Sequence, residues 1–241
     1  YLCATSLTYF FLDLLSQKVK SKINLRKYLI YVLLATVCDV MPLRKLNRLI
    51  SINALKEFDI NDNYAIKKLY NFSNKKNKIN IDDLGFLIGP ILNAGGRLNK
   101  SNYATELLSS PKTKIIDQRS FELFDLNEKR KKIESVILEN IDFNKLNNKN
   151  DIIIYYEPNI NEGLIGIIAS RLKDLFNKPS FVITKSNDLL KGSVRSVYNY
   201  NIGRAIKNLL NKKIILSGGG HSMAAGFTLE KKNLIDFEEL I

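Results

Sequence analysis

With 241 residues, 45% of them hydrophobic, the chain is long enough to bury one large core or two smaller ones. Its 37 Lys and Arg against 24 Asp and Glu leave a formal charge of +13, which favours a polyanionic partner, although Asn-Lys runs such as 74–78 and 147–150 show that lysine is written widely here. Two distant cysteines without CxxC spacing exclude a disulfide framework and a structural zinc site, and fit a reducing cytosol.

The opening Tyr1 to Leu12 is apolar, but Asp13 interrupts it short of bilayer length and no basic region precedes it, so it reads as a buried helix. The chain enters helical periodicity at Tyr1 without an initiator methionine or a cap, and the expectation is a piece of a longer protein. Apolar residues at helical spacing predict helices over Leu2 to Val19, Leu29 to Cys38, Leu46 to Phe58 and Tyr64 to Phe72. Asp39 follows the second of these in an otherwise apolar setting, just before Pro42. Such a carboxylate can cap the next helix, pair with Arg44 or Arg48, or hold a divalent metal, and spacing alone favours the cap.

Leu84 to Leu98 is an apolar helical pattern that Gly89-Pro90 is expected to interrupt and Gly95-Gly96 to end. Asn93 and Arg97 would share one face, with Arg97 suited to bidentate phosphate recognition or simply solvated behind a glycine cap. From Lys114 to about Phe143 nothing breaks the helical spacing, so one long charged helix is expected as a connector, followed by a loop and domain boundary at Asn144 to Asn150.

Beyond it the pattern becomes α/β: strands at Ile152–Tyr156, Ser180–Thr184, Leu189–Val197 and Ala225–Leu229, helices at Gly163–Phe176 and Ile202–Leu210. On the third segment Ser193 and Arg195 alternate with Val194 and point to one side, with Gly192 leaving space beside them; a hydroxyl and a guanidinium so placed form a small phosphate-binding pair. After Ile214 to Leu216, the three glycines Gly218, Gly219 and Gly220 are expected to end a strand in a loop with positive φ whose amides cradle an anion. The chain's single histidine, His221, would there donate to a phosphate oxygen or stand beside a metal-bound water.

Five segments carry a resemblance to the DHH/DHHA1 phosphoesterases, and within them to the RecJ-type exonucleases. Gly218 to Phe227 (GGGHSMAAGF) looks like the DHHA1 signature. Thr36 to Leu43 with Asn47-Arg48 is similar to ADVVPL…NR, Gly89 to Leu98 to GPRINAAGRL, Glu162 to Leu172 to HEGVIGIVASRL, and Gly192 to Ser196 to GSxRS. Asn161 stands where the family motif has histidine, so a role resting on that histidine does not carry over. Asn127 and Arg130 fall where the family's connector has an Asn-x-x-Arg pair.

The resemblance implies an α/β fold: a mostly helical remnant of a DHH catalytic domain at 1–112, a connector helix at 113–147 and an α/β DHHA1 substrate-binding domain with a mixed sheet at 148–241. It implies hydrolysis of single-stranded DNA from the 5′ end by a mechanism using two Mn²⁺ or Mg²⁺ ions, in DNA repair and recombination. Asp39 would be a metal ligand and, with His221, catalytic. Asn93, Arg97, Ser193, Arg195, Ser196, Gly218, Gly219 and Gly220 would bind substrate, the GSxRS segment and Arg97 gripping the 5′-terminal phosphate. A cytoplasmic monomer is implied, with single-stranded DNA as partner, a helicase or single-strand-binding protein as further candidates, and no membrane. The family's aspartate-rich and Asp-His-His motifs do not occur in this sequence, and one carboxylate cannot hold two cations that each want about six oxygen ligands, so this chain by itself is expected to be inactive. Competing readings are a phosphodiesterase of short oligonucleotides or cyclic dinucleotides, a non-catalytic nucleic-acid-binding module, and an alanyl-tRNA-type editing domain, whose zinc ligands the chain lacks.

Overall fold

The computed structural model describes residues 1–146 and 151–241. They form two compact units: residues 1–96 with 100–127, and residues 97–99 with 128–241.

The first unit is helical. Helices α1 (Ala4–Lys18), α2 (Leu29–Cys38), α3 (Lys45–Glu57) and α4 (Tyr64–Asn71) follow the apolar periodicity to within two residues at each end. Asn63 starts α4 by accepting a hydrogen bond from the Ile66 backbone amide. Next come α5 (Ile81–Asp83) and a π-helical segment, Leu84–Ile88, which runs directly into α6 (Gly89–Arg97). The expected break at Gly89-Pro90 is therefore absent. Proline opens a helix well at its first turn, and a Cβ on Gly89 would lie 2.6 Å from the Cys38 sulfur, so this glycine serves a close approach of α2. Nor do Gly95-Gly96 end α6; it continues to Arg97, and Asn99 takes the left-handed turn at φ 63°.

Helix α7 (Tyr103–Ser109) has no counterpart in the sequence expectations. Helix α8 (Thr113–Glu139) is the expected long helix, but it ends four residues early at Asn140-Ile141-Asp142, before a short α9 (Phe143–Leu146). Its residues up to Asn127 belong to the first unit and the rest to the second. The core of the first unit gathers Leu33, Ile66, Leu69, Leu84, Ile88, Leu107 and Leu123, with Phe72 stacked on Phe124 at 4.2 Å between ring centres. The loop expected at Asn144 to Asn150 lies outside the described residues from 147 onward.

The second unit is built on a five-stranded mixed sheet in the order β1-β2-β3-β5-β4. Strand β1 (Ile153–Tyr156) runs parallel to β2 (Ser180–Ser186), while β3 (Leu189–Arg195), β4 (Ser217–Gly220) and β5 (Ala224–Glu230) pair antiparallel. One sheet face packs on α11 (Ile202–Asn211) and α12 (Leu234–Leu240) through Phe181, Val194, Phe227 and Phe237. The other packs on α10 (Glu162–Phe176) through Ile153, Val182, Leu164, Ile168 and Leu172, joined by Ile141 after α8. Period-two alternation along β3 assigns Leu190, Gly192 and Val194 to the first face and Ser193 and Arg195 to the α10 face. The helical and mixed α/β architecture expected from the sequence is the one observed.

Candidate functional site

Ser193 and Arg195 do share a face, as the alternation predicts. The Arg195 Nη1 donates to Ser193 Oγ at 3.2 Å and to the Val194 carbonyl at 3.1 Å. Helix α10 crosses directly above: a Cβ on Gly166 would stand 3.1 Å from Arg195 Nη2 and 3.2 Å from Ser193 Oγ, so only hydrogen at this position lets the helix pass that close. Gly192 plays a different part from the one expected. It leaves no space beside the pair; a Cβ there would overlap the Phe227 ring, on the opposite face of the sheet. Ser196 is buried, and its hydroxyl donates to the Tyr200 carbonyl at 2.7 Å, which commits it to the turn after β3.

One turn earlier on α10, Gly163 performs a similar service for Arg97. A Cβ there would overlap the Arg97 backbone, and Arg97 Nη1 donates to the Gly163 carbonyl at 3.1 Å. The helix starts there because Asn161 accepts from the Gly163 amide at 2.8 Å, so the asparagine that replaces the motif's histidine is an N-cap. Gly163 and Gly166 thus bring Arg97 and Arg195 to the first turns of one helix. Burial first, then the nearby guanidiniums of Arg130 and Arg195, push the Arg97 pKa down, with Glu134 acting the other way; burial pushes that of Arg195 down as well.

Glu134 organises the remaining charges, and no motif in the sequence singles it out. It is buried on α8, its Oε2 accepts from Arg130 Nη1 at 2.7 Å, and its Oε1 accepts from Arg171 Nε on α10 at 2.6 Å. The i,i+4 spacing of Arg130 and Glu134 is visible in the sequence; the Arg171 contact across 37 residues is not. Three guanidiniums, Arg97, Arg130 and Arg195, therefore share one neighbourhood with a single buried carboxylate. Burial disfavours the charged forms of Arg97 and Arg195, and an incoming anion offsets that cost.

The glycine signature is a strand, not a loop. Gly218, Gly219 and Gly220 make up most of β4, and every glycine among the described residues lies outside the positive-φ region. Pairing with Ala225 to Phe227 satisfies this backbone in the extended conformation. Across the α10 side of the sheet, Ser193 pairs with Gly226 and Gly226 with Gly219, and Gly226 and Gly219 are exposed, so a floor without side chains extends from the Arg195 pair to the sheet edge. His221 begins the β4–β5 turn; it is exposed, and its Nδ1 accepts from the Met223 amide at 3.3 Å.

Two predicted residues lie in the first unit. Asn93 is exposed on α6. Asp39 is exposed at the C-terminus of α2, where its backbone amide donates to the Ala35 carbonyl at 2.9 Å; the cap expected from spacing is not formed, since Arg44 precedes α3. Among the described residues Asp39 makes no ion pair, and no group of three or more His, Cys, Asp or Glu is placed to hold a metal ion. The described residues do not by themselves fit a divalent metal site.

Residues 149–241 match the DHHA1 domain. Over 90% of its length the chain is 34% identical to the single-stranded-DNA-specific exonuclease RecJ of Escherichia coli (strain K12) and 30% identical to that of Haemophilus influenzae, and it spans 39% and 40% of those proteins. Among solved structures, RecJ from Thermus thermophilus in complex with Mn²⁺ superposes with a TM-score of 0.79 at 25% identity, covering 89% of this chain and 32% of that one. The same protein in complex with Mg²⁺ gives 0.75 at 25% identity, covering 89% of this chain and 33% of that one. The resemblance holds along nearly the whole chain, which is similar to about two fifths of a RecJ-type exonuclease and matches the DHHA1 domain at residues 149–241.

Proposed function

We propose that this chain is the substrate-gripping portion of a metal-dependent 5′-to-3′ exonuclease acting on single-stranded DNA, and that residues 148–241 hold the strand. The observation that carries this reading is the half-buried Ser193–Arg195 pair beneath Gly166, with Arg97 brought to the same helix turns by Gly163. The guanidiniums bind and orient a phosphate, the Ser193 hydroxyl donates to it, and the glycine floor of Gly226 and Gly219 lets a polymer lie close to the sheet. Residues 1–112 are the later part of a DHH catalytic domain and 113–147 its connector. In a RecJ-type setting Asp39 would contribute one ligand to a pair of Mn²⁺ or Mg²⁺ ions, whose chemistry would be activation of a water; the other ligands are not among the described residues. His221 and the glycine strand Gly218 to Gly220 flank the bound strand, and Asn93, in the first unit, is a further substrate-binding candidate.

This reading includes a role in DNA repair and recombination, in the cytoplasm, as a monomer working beside a helicase or a single-strand-binding protein. Its direct test is binding of the 241-residue chain to single-stranded DNA as ionic strength rises. Two phosphate charges neutralised by Arg97 and Arg195 give a slope of log K against log salt of about −1.4 or steeper. Salt-independent binding, or none at low salt, contradicts the proposal. Hydrolysis by this chain alone with Mn²⁺ would contradict the assignment of a gripping portion that needs further ligands.

A further inference from the structure

The turn that follows β3 is pinned at several points, yet its tip carries an almost fully exposed aromatic ring. Ser196 donates through its amide to the Met223 carbonyl at 2.9 Å and through its hydroxyl to the Tyr200 carbonyl at 2.7 Å. The Tyr200 amide closes a four-residue turn on the Val197 carbonyl at 3.2 Å, and the Ile202 amide donates to the Ser222 carbonyl at 3.2 Å. Asn201 then caps α11 by accepting from the Arg204 amide. Tyr198 occupies the second position of this turn and is 93% exposed. Proline or a small polar residue suits that position, and nothing in the turn's geometry calls for a large aromatic side chain. Among the described residues its ring has no aromatic or cation–π partner.

The location supplies a reason. Tyr198 lies three residues beyond Arg195, a span of at most about 11 Å. The bonds to Ser222 and Met223 hold its turn against the β4–β5 turn that carries His221, at the end of the sheet where the glycine floor also ends. A phosphate clasp at Arg195, a surface without side chains and an exposed aromatic ring on a pinned turn are the elements of a stacking platform.

We propose that Tyr198 stacks on a nucleobase of the single strand whose phosphate sits at Arg195. This rests on the reading of the second unit as a single-stranded-DNA grip and adds a contact to the bases, which the phosphate clasp does not provide. Stacking of this kind is tolerant of base identity, so it strengthens binding without imposing a sequence.

The test compares two ligands of equal length and charge, a short 5′-phosphorylated oligothymidine and a 5′-phosphorylated abasic phosphodiester chain, each bound to the 241-residue protein. The wild type prefers the oligothymidine. Tyr198→Ala weakens oligothymidine binding by about 5- to 150-fold and leaves the abasic ligand unchanged, while Tyr198→Trp keeps or improves the oligothymidine affinity. The substitution touches no core contact, so a folding defect does not confuse the result. If Tyr198→Ala binds oligothymidine as the wild type does, or loses equally on both ligands, the stacking role is wrong and the phosphate grip stands. If the wild type binds neither ligand, the grip itself is wrong and the stacking role falls with it.

Discussion

Removing the Glu134 carboxylate while keeping its shape, as Glu134→Gln, tests how the arginine neighbourhood is held together. The side chain of Glu134 is 8% exposed and that of its partner Arg130 12%, so this half of the network is a buried ion pair; that of Arg171 is 55% exposed. Breaking a buried pair from one side costs about 3–5 kcal/mol, because a charge stays desolvated without its counterion, whereas the exposed half adds less than about 1 kcal/mol. The amide still accepts one hydrogen bond, so a loss of about 3 kcal/mol is expected, at the lower end of that range. For a chain of this size that lowers the melting temperature by roughly 6–12 °C, read by circular dichroism. Single-stranded DNA affinity should hold or rise, since the lost charge opposed the incoming phosphate. A melting temperature within about 2 °C of the wild type, the shift expected for less than 1 kcal/mol, would refute the claim that Glu134 compensates buried guanidiniums. A parallel loss of DNA affinity in folded protein would refute the claim that its charge opposes the incoming phosphate.

Gly192→Ala pushes a methyl group into the Phe227 ring, which is packed between Phe181 and Phe237 at centroid distances of 6.2 and 4.8 Å. A loss of about 1–3 kcal/mol is expected in chemical denaturation, and an unchanged midpoint contradicts the packing role. The exposed Lys191–Glu162 pair ties β3 to the start of α10, and the hydrogen bond from Lys191 holds the Glu162 pKa below its ordinary value of 4.5. A lowered carboxylate pKa stabilises the fold above the unfolded-state value and loses that contribution as pH falls through the folded one. Glu162→Gln should therefore be less stable than the wild type at about pH 7, by under about 1 kcal/mol, with the gap closing below pH 4.5. A gap that widens in acid contradicts the assignment.

What the sequence reveals and what it hides divide along local and long-range physics. The facing of Ser193 and Arg195 follows from period-two alternation within one strand, and the helices from Ala4 to Asn71 follow from their own apolar spacing, so both are legible. Gly192 misleads because its purpose lies in a ring on a neighbouring strand, 35 residues later. The glycines at 218–220 suggest a loop because glycine permits positive φ, yet pairing with Ala225 to Phe227 decides their conformation. Gly89 and Gly95 look like helix breakers to a local reading and are close-approach points when the neighbouring chain is seen. Glu134 shows both sides: half of its network is an i,i+4 pair, and the other half is Arg171, which only the tertiary fold brings near. Tyr198 carries no motif at all; its meaning comes from a 93% exposed ring on a pinned turn.

Arg195 is the heart of the proposed phosphate grip, and the most direct measurement compares binding of 5′-phosphorylated and 5′-hydroxyl single strands to the wild type and to Arg195→Ala. The wild type should prefer the phosphorylated end by roughly tenfold or more, the worth of one charge-assisted hydrogen bond, and Arg195→Ala should erase that preference. Equal weakening of both ligands, with the preference intact, would contradict the grip.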